Sequence, residues 1–567
     1  MFESVYSEPP GPLSMRFEAP PADVPTVDVV VIGGGVNGTG VARDLTLRGL
    51  RVVLFERNDL AFGASGNSSG MIHGGVRYLS KNPSVTRDSC KDSGFIQAIA
   101  PHLLFRIPFI MPVRKGPFAS VMYELIDAYF QAYDIFQPLK RGKPHARLSA
   151  DECRRLEPGL VGDFVGGITF DEWGVDGSRL CVLNAVDAKE RGASIHVHTT
   201  VEAITREGDG GHYIVRARDR ITGQVQRVRA KSVVNSTGAW GPITAAIGGI
   251  HTPKMRLRPG KGIHVAFDRR LSNYAIMSQA IDGRDIFIEP WQNMSVIGTT
   301  DDDYYGDLDN VLPTSEEVRY LVQGIARVFP AVREARIVTT WTGVRPTLYT
   351  YGKNEDALSR EHEIVDHRES GAPGVFSMIG GKLASYRLFA QEQSDVVMSY
   401  VGQNEKCVTH VKPLPGGDVV PSAIETADAY GITPTAAQRL TYRHGSRALR
   451  ILDTLGDQPD DAEIVCPCEP VMACEVKHAV REEFARTVDD VSRRTRLGLG
   501  TCGGMRCAFR CAQIVADETD VSPEQGRAMA MTFLERQTKM RIPAMGTPQA
   551  RQEALLIEQL RGAGVRR

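Results

Sequence analysis

The chain has 567 residues, 42% of them apolar and 24% charged, too long for one hydrophobic core and ordinary for a globular protein, so two to four domains are expected. Lys and Arg (67) nearly balance Asp and Glu (68), which leaves no global field to recruit nucleic acid or an acidic membrane. Fibrous and disordered classes are excluded on these grounds, and any nucleic-acid or membrane binding would have to be local.

Residues 1–26 hold six prolines and no apolar run, and read as a flexible arm rather than an export signal. Without export, structural disulfides are not expected, and clustered thiols point to metal binding or redox work. The stretch 27–59, VDVVVIGGGVNGTGVARDLTLRGLRVVLFERND, reads as a buried strand, a short amphipathic helix and a second strand ending on an acid. Between strand and helix lies Gly33-x-Gly35-x-x-Gly38. Gly33 suits a tight turn, Gly35 a close backbone approach by a pyrophosphate, and Gly38 the closing of helix on strand. The helix N-terminus offers free N–H groups to phosphates. Glu56, 21 residues after Gly35, is placed to accept ribose hydroxyls and disfavours NADP. FAD and NAD both remain open at this point.

The longest apolar cluster, LLFRIPFIMPV at 103–113, is about half a membrane span and carries an Arg and two Pro, so no spanning segment is expected. Residues 117–136 place apolar side chains at 122, 125, 126, 129, 130 and 133, a helical stripe. It suits a helix packed on the core or, with the basic residues just before it, a face that docks on a membrane or a partner. KSVVNSTGAWG at 231–241 is a further apolar strand, ending in Thr237-Gly238. It resembles the strand that closes the adenosine site of two-domain flavoenzymes. KPLPGGDVVPS at 412–422 reads as a linker, and the last residues as an amphipathic helical tail.

Six of ten cysteines fall between 466 and 511. Cys466-x-Cys468 is followed, after 33 residues, by Cys502-x4-Cys507. Four thiolates from two loops suit tetrahedral iron or zinc. Pro467 stiffens the first pair, and Gly503 and Gly504 let the second loop turn tightly. Cys474 and Cys511 fall inside expected helices and read as buried thiols.

GASGNSSGMIHGGVRYL at 63–79 resembles the flavin-contacting segment of FAD-dependent glycerol-3-phosphate dehydrogenases. Five further blocks agree in the family's order: WGVDGSRLCVLNAVDAKERGA (173–193), RPGKGIHVAF (258–267), VIGTTDDDYYGD (296–307), WTGVRPTL (341–348) and GGKLASYR (380–387). LTYRHGSRALRIL (440–452) is similar to the start of that family's helical C-terminal domain. Asn67 and Gly70 depart from the pattern, standing where members commonly carry Arg and Lys. The cysteine pattern resembles the [2Fe-2S] domain related to bacterioferritin-associated ferredoxin, which also ends the large subunits of the anaerobic members.

The resemblance implies an α/β fold: a Rossmann-type FAD domain interleaved with an antiparallel substrate-capping sheet (27–405), a helical domain (406–460), a cluster domain (461–520) and a tail (521–567). It implies FAD as cofactor, contacted by Gly33, Gly35, Gly38, Glu56, Ser65, Asn67, Ser68, His73, Gly238, Gly380, Gly381, Lys382 and Leu383. It assigns Arg77 and Arg345 to the phosphate of sn-glycerol 3-phosphate, with Arg360 as a further cation and Tyr78 orienting substrate. Lys382 would touch substrate or the flavin N1/O2 edge. His264 is expected as the base, because imidazole titrates near working pH; His73 competes for that role. Cys466, Cys468, Cys502 and Cys507 would hold a [2Fe-2S] cluster, its charge offset by Arg506, Arg510, the arginines of 493–496 and the helix after Cys502. Electrons would then pass to quinone or to companion subunits, in an oligomer or multi-subunit complex expected in the cytoplasm, free or peripheral on the inner face of the cell membrane. A rival expectation is an FAD oxidase of an amine or hydroxy acid, with a structural zinc or docking module.

Overall fold

A computed structural model describes residues 24–562 except 81, 209–210 and 353–361, together with all of these side chains but that of Arg77. The arm expected over 1–26 lies almost wholly outside the described residues, as do Arg360 and the Arg77 side chain.

The first strand, Thr26–Ile32, sits in the middle of an eight-stranded sheet. It pairs in parallel with Val52–Phe55 on one side (Val30↔Val53) and Val225–Asn235 on the other (Val30↔Val233). A strand flanked this way is covered on both faces, which is why its run of valines has no polar alternation. Val29, Val30 and Val31 are fully buried, each contributing about 1.5–3 kcal/mol. Helices Val36–Leu47, Gly177–Glu190 and Tyr386–Val401 supply Val41, Leu45, Val182, Val186, Phe389 and Val397 to one side of this sheet.

The first helix departs from the amphipathic expectation. Nearly all of it is buried, Arg43 and Asp44 included. Arg43 pairs with Asp187 at 2.6 Å and donates to the carbonyls of Thr409 and Lys412, and Arg48 pairs with Asp44 at 2.6 Å. The segment expected as a linker is what covers it. Leu414 is buried, and a Cβ on Gly417 would stand 2.2 Å from the Ile99 carbonyl, so this stretch is packed rather than loose.

The second sheet has nine strands and is antiparallel apart from one parallel pair, Ala275–Gln279 with Leu104–Arg114. Alternation gives it two different faces. Ile286 and Ile288 point to helix Ser315–Ala326, with Leu321 and Ile325, while Phe287 between them points to the cavity described below. In helix Ala119–Asp134 the apolar stripe splits: Phe130 and Tyr133 are buried, whereas Met122 and Leu125 are 50% and 60% exposed, beside Phe118.

After helices Ala423–Tyr430, Pro434–His444 and Arg447–Asp453 comes the cysteine module, a short hairpin followed by helices Ala473–Arg481, Val488–Thr495, Ala508–Thr519 and Pro523–Arg541. Buried ion pairs lock it to the dinucleotide domain. Arg179 pairs with Glu483 at 2.5 Å, and Asp59, just past the acid of the second strand, receives both Arg493 and Arg494. No described helix is long and apolar enough to cross a membrane.

Candidate active site

One cavity of about 530 Å³ lies where the two sheets face each other. Gly33, Gly35, Glu56, Ser65, Asn67, Ser68, His73, Gly238, Gly380, Gly381, Lys382 and Leu383 line it, and so do His264 and Arg345. Gly38 stands behind the wall. A Cβ there would lie 2.0 Å from the Gly33 carbonyl, so helix and strand close only over glycine. Gly33 has φ +109°, and its Cβ would meet the Ser236 carbonyl at 2.7 Å. Backbone and apolar surface thus form a cradle that fits a dinucleotide.

Glu56 accepts from Gly34 N–H at 2.6 Å and from Asn58 N–H at 2.7 Å, and burial raises its pKa. Its carboxyl therefore braces the glycine turn, with acceptor capacity left for a ribose. Ser65 Oγ accepts from Val36 N–H at 3.0 Å, at the start of the first helix. Asn67 turns its amide inward, donating at 2.8 Å to the carbonyls of Phe62 and Gly63, so its N–H groups brace the loop rather than reach an isoalloxazine edge. Ser68 accepts from Gly70 N–H at 3.2 Å. At the cavity mouth, Asp309 joins Arg57 and the Trp240 indole N–H.

His264 is 3% exposed and stacks on Trp341 at 5.2 Å. Neither ring nitrogen has a hydrogen-bond partner among the described residues. Burial, with help from the Arg345 guanidinium, pushes its pKa down to about 3. Because the charged form has lost its solvent, the ring is held in the neutral form, the one able to take a proton. The imidazole is a neutral hydrogen-bond acceptor facing the cavity. His73 Nδ1 accepts from Gly75 N–H at 3.1 Å.

Arg345 pairs with Asp301 at 2.9 Å and donates to Thr299 Oγ1 at 3.0 Å. Lys382 Nζ sits 3.8 Å over the Tyr78 ring. Asp301, Thr299, Arg284 and Glu172 also line the cavity, though none is expected as a site residue from sequence. Arg284 donates to the Asp301 carbonyl at 2.6 Å, so one short segment connects two cavity arginines. Thr299 and Asp301 fall within the VIGTTDDDYYGD block, whereas Arg284 and Glu172 carry no such sequence signal.

The module brings its four nominated thiols together. Cys468 and Cys502 sulfurs are 3.8 Å apart, and Cys466 and Cys507 are close enough for each thiol to shift the other's ionisation. The Cys507 thiol and the N–H groups of Gly498 and Glu469 pull the Cys466 thiol below its ordinary pKa. Two thiolates on one tetrahedral metal, at about 2.3 Å each, stand about 3.8 Å apart. Gly503 and Gly504 have φ of +58° and +87°, so the second loop does turn through left-handed backbone. Cys474 and Cys511 are buried within helices.

The expected charge balance is different. Arg493 and Arg494 are taken by Asp59, Arg496 by Glu469, and Arg510 by Glu463. The cation at the thiols is Arg541, against Gly503 and facing Cys502. The following helix starts at Ala508, so Cys507 rather than Cys502 caps its N-terminus.

Comparison with known proteins agrees with this architecture. Residues 28–387 match the FAD dependent oxidoreductase family, and 407–526 match the C-terminal domain of alpha-glycerophosphate oxidase. One component of the multi-subunit anaerobic glycerol-3-phosphate dehydrogenase of Escherichia coli K12 is 32% identical over 91% of this chain and 93% of its own. The corresponding component from Haemophilus influenzae is 31% identical over 90% and 88%. In fold, the chain is similar to the glycerol-3-phosphate dehydrogenase of Bacillus halodurans, solved with FAD, with TM-score 0.74 at 24% identity, covering 92% of this chain and 96% of that one. The chain therefore belongs to the FAD dependent oxidoreductases and, among them, to the glycerol-3-phosphate dehydrogenases.

Proposed function

We propose that this enzyme oxidises sn-glycerol 3-phosphate to dihydroxyacetone phosphate, losing the C2 hydrogen as hydride and the hydroxyl hydrogen as a proton. FAD supplies the hydride acceptor. The observation that carries the reading is the convergence of Arg345, Lys382 and His264 in the cavity that the glycine turn opens into. Arg345 and Lys382 bind the phosphate, Arg345 through the guanidinium that Asp301 and Thr299 hold in place. Arg77 and Arg360 complete this set by resemblance. His264, neutral and with neither ring nitrogen partnered among the described residues, takes the substrate hydroxyl proton as the hydride leaves, and orients C2. Tyr78 steadies Lys382.

Cys466, Cys468, Cys502 and Cys507 would hold a [2Fe-2S] cluster. Four clustered thiols in the CxC and Cx4C spacing support an iron–sulfur cluster over a zinc knuckle. Such a cluster accepts single electrons. Bound there, it would pass electrons toward quinone, directly or through companion chains, a route favoured by the likeness to proteins named as dehydrogenase subunits. The exposed Phe118, Val121, Met122 and Leu125, preceded by Arg114 and Lys115, support attachment to a membrane surface.

Anaerobic addition of glycerol 3-phosphate to the purified protein tests both parts. Bleaching of the visible flavin band, with about two irons per chain and a reduced-cluster EPR signal, is the expected result. Bleaching with zinc in place of iron overturns the cluster alone. A flavin that ignores this substrate overturns the reaction.

A further inference from the structure

Beneath the turn formed by His73, Gly74 and Gly75 lies a buried polar group that the reaction above does not use. Glu172, 2% exposed, reaches the cavity wall. One of its oxygens accepts from Gly74 N–H at 3.0 Å and pairs with Lys140 Nζ at 2.7 Å; the other accepts from the Tyr133 hydroxyl at 2.9 Å. Lys140 has no exposure and also donates to Tyr133 Oη at 3.0 Å and to the Asp171 carbonyl at 2.7 Å. All three ammonium hydrogens thus have acceptors.

The same side of the turn is fastened at three more points. Tyr129 donates to the Val76 carbonyl at 2.5 Å, Thr86 to that of Gly75 at 3.2 Å, and Ser93 to that of Ile72 at 2.8 Å. No space remains behind it. A Cβ on Gly74 would stand 2.2 Å from Tyr133 Oη and 2.5 Å from Cys90 Sγ. Buried ion pairs are seldom the most stable way to fill such a space, and apolar side chains would do as well. What the pair adds is direction, because the carboxylate must point at one backbone N–H and one ammonium.

We infer that Lys140, Glu172 and Tyr133 are positioning residues for the catalytic cavity, resting on its reading as the site of flavin and glycerol 3-phosphate. They set the height of the His73 turn against the flavin. Lys140 also neutralises a carboxylate that would otherwise oppose an anionic substrate from the cavity wall.

Tyr133→Phe, Glu172→Gln, Lys140→Met and the double variant Lys140→Met/Glu172→Gln test this, with FAD content, visible-region circular dichroism of the oxidised flavin, kcat and KM as readouts. Glu172→Gln is expected to keep FAD, alter the flavin dichroism and lower kcat roughly 10- to 100-fold, the cost of a misplaced reacting group. Tyr133→Phe does the same more weakly. Lys140→Met raises KM more than it lowers kcat, and the double variant restores KM because the lone charge is gone. Lower melting temperatures with kcat, KM and flavin dichroism all unchanged would overturn the inference and leave a merely structural group. The dichroism is read without substrate, so a wild-type flavin that glycerol 3-phosphate fails to reduce sinks the reaction and not the positioning.

Discussion

The dinucleotide cavity is walled by backbone and apolar surface, with its polar side chains mostly bracing loops. The cysteine site, by contrast, is four side chains on two loops of a helical module. In the cavity, function depends on where chain is absent: Gly33 and Gly38 are places where one carbon atom would collide with a carbonyl. In the module it depends on which atoms are present. Damage should therefore take different forms in the two regions. A steric change should empty the first, and a chemical change the second.

The largest effect is expected from Gly38→Val, whose Cβ has no room against the Gly33 carbonyl. The protein should purify without FAD, measured as flavin released on denaturation, and should melt at a lower temperature. Retained stoichiometric FAD would break the contrast. Next comes Cys502→Ser, which removes one ligand of the close sulfur pair. Iron should fall from about two per chain to near none, while FAD stays bound and is still reduced by substrate. Cys474→Ser, in a helix and away from the pairs, should keep its iron. If Cys474→Ser loses iron and Cys502→Ser keeps it, the ligand set is wrong.

The two regions also differ in how far the sequence alone reveals them. Gly33, Gly35, Gly38 and Glu56 are legible because a backbone requirement is written directly as residue type and spacing. The four cysteines are legible for the same reason. Their charge environment is not. The arginines at 493–496 look like counter-ions from sequence, but Asp59, over 400 residues away in the chain, takes two of them. His264 stands out in the sequence but its protonation state does not, since burial against Trp341 is a tertiary fact. The first helix reads as amphipathic because nothing local says that a distant segment covers its polar side. Glu172 and Glu289 stay hidden because an acid in an alternating strand ordinarily faces solvent.

Glu289 bears on the boundary between the regions. In strand Asp285–Trp291 it lies on the face of Phe287, which lines the cavity, and of Trp291, over whose ring Arg496 of the module sits at 4.1 Å. It is fully buried and neither carboxyl oxygen has a partner among the described residues, so burial holds its pKa well above the usual carboxyl range. The folded chain keeps this proton at pH values where the unfolded chain, titrating at about 4.3, has released it. The unfolded state then binds fewer protons, so stability falls as pH rises above that value, by about 1.4 kcal/mol per unit until the folded group ionises. Glu289→Leu removes the penalty and is expected to raise the melting temperature at pH 8 by a few degrees, with little gain near pH 4.5. FAD and iron contents should not change, since the side chain touches neither site. Melting curves of both proteins at the two pH values decide it. An equal gain at both would mean that packing, not the buried proton, sets the cost of an acid between the cavity and the module.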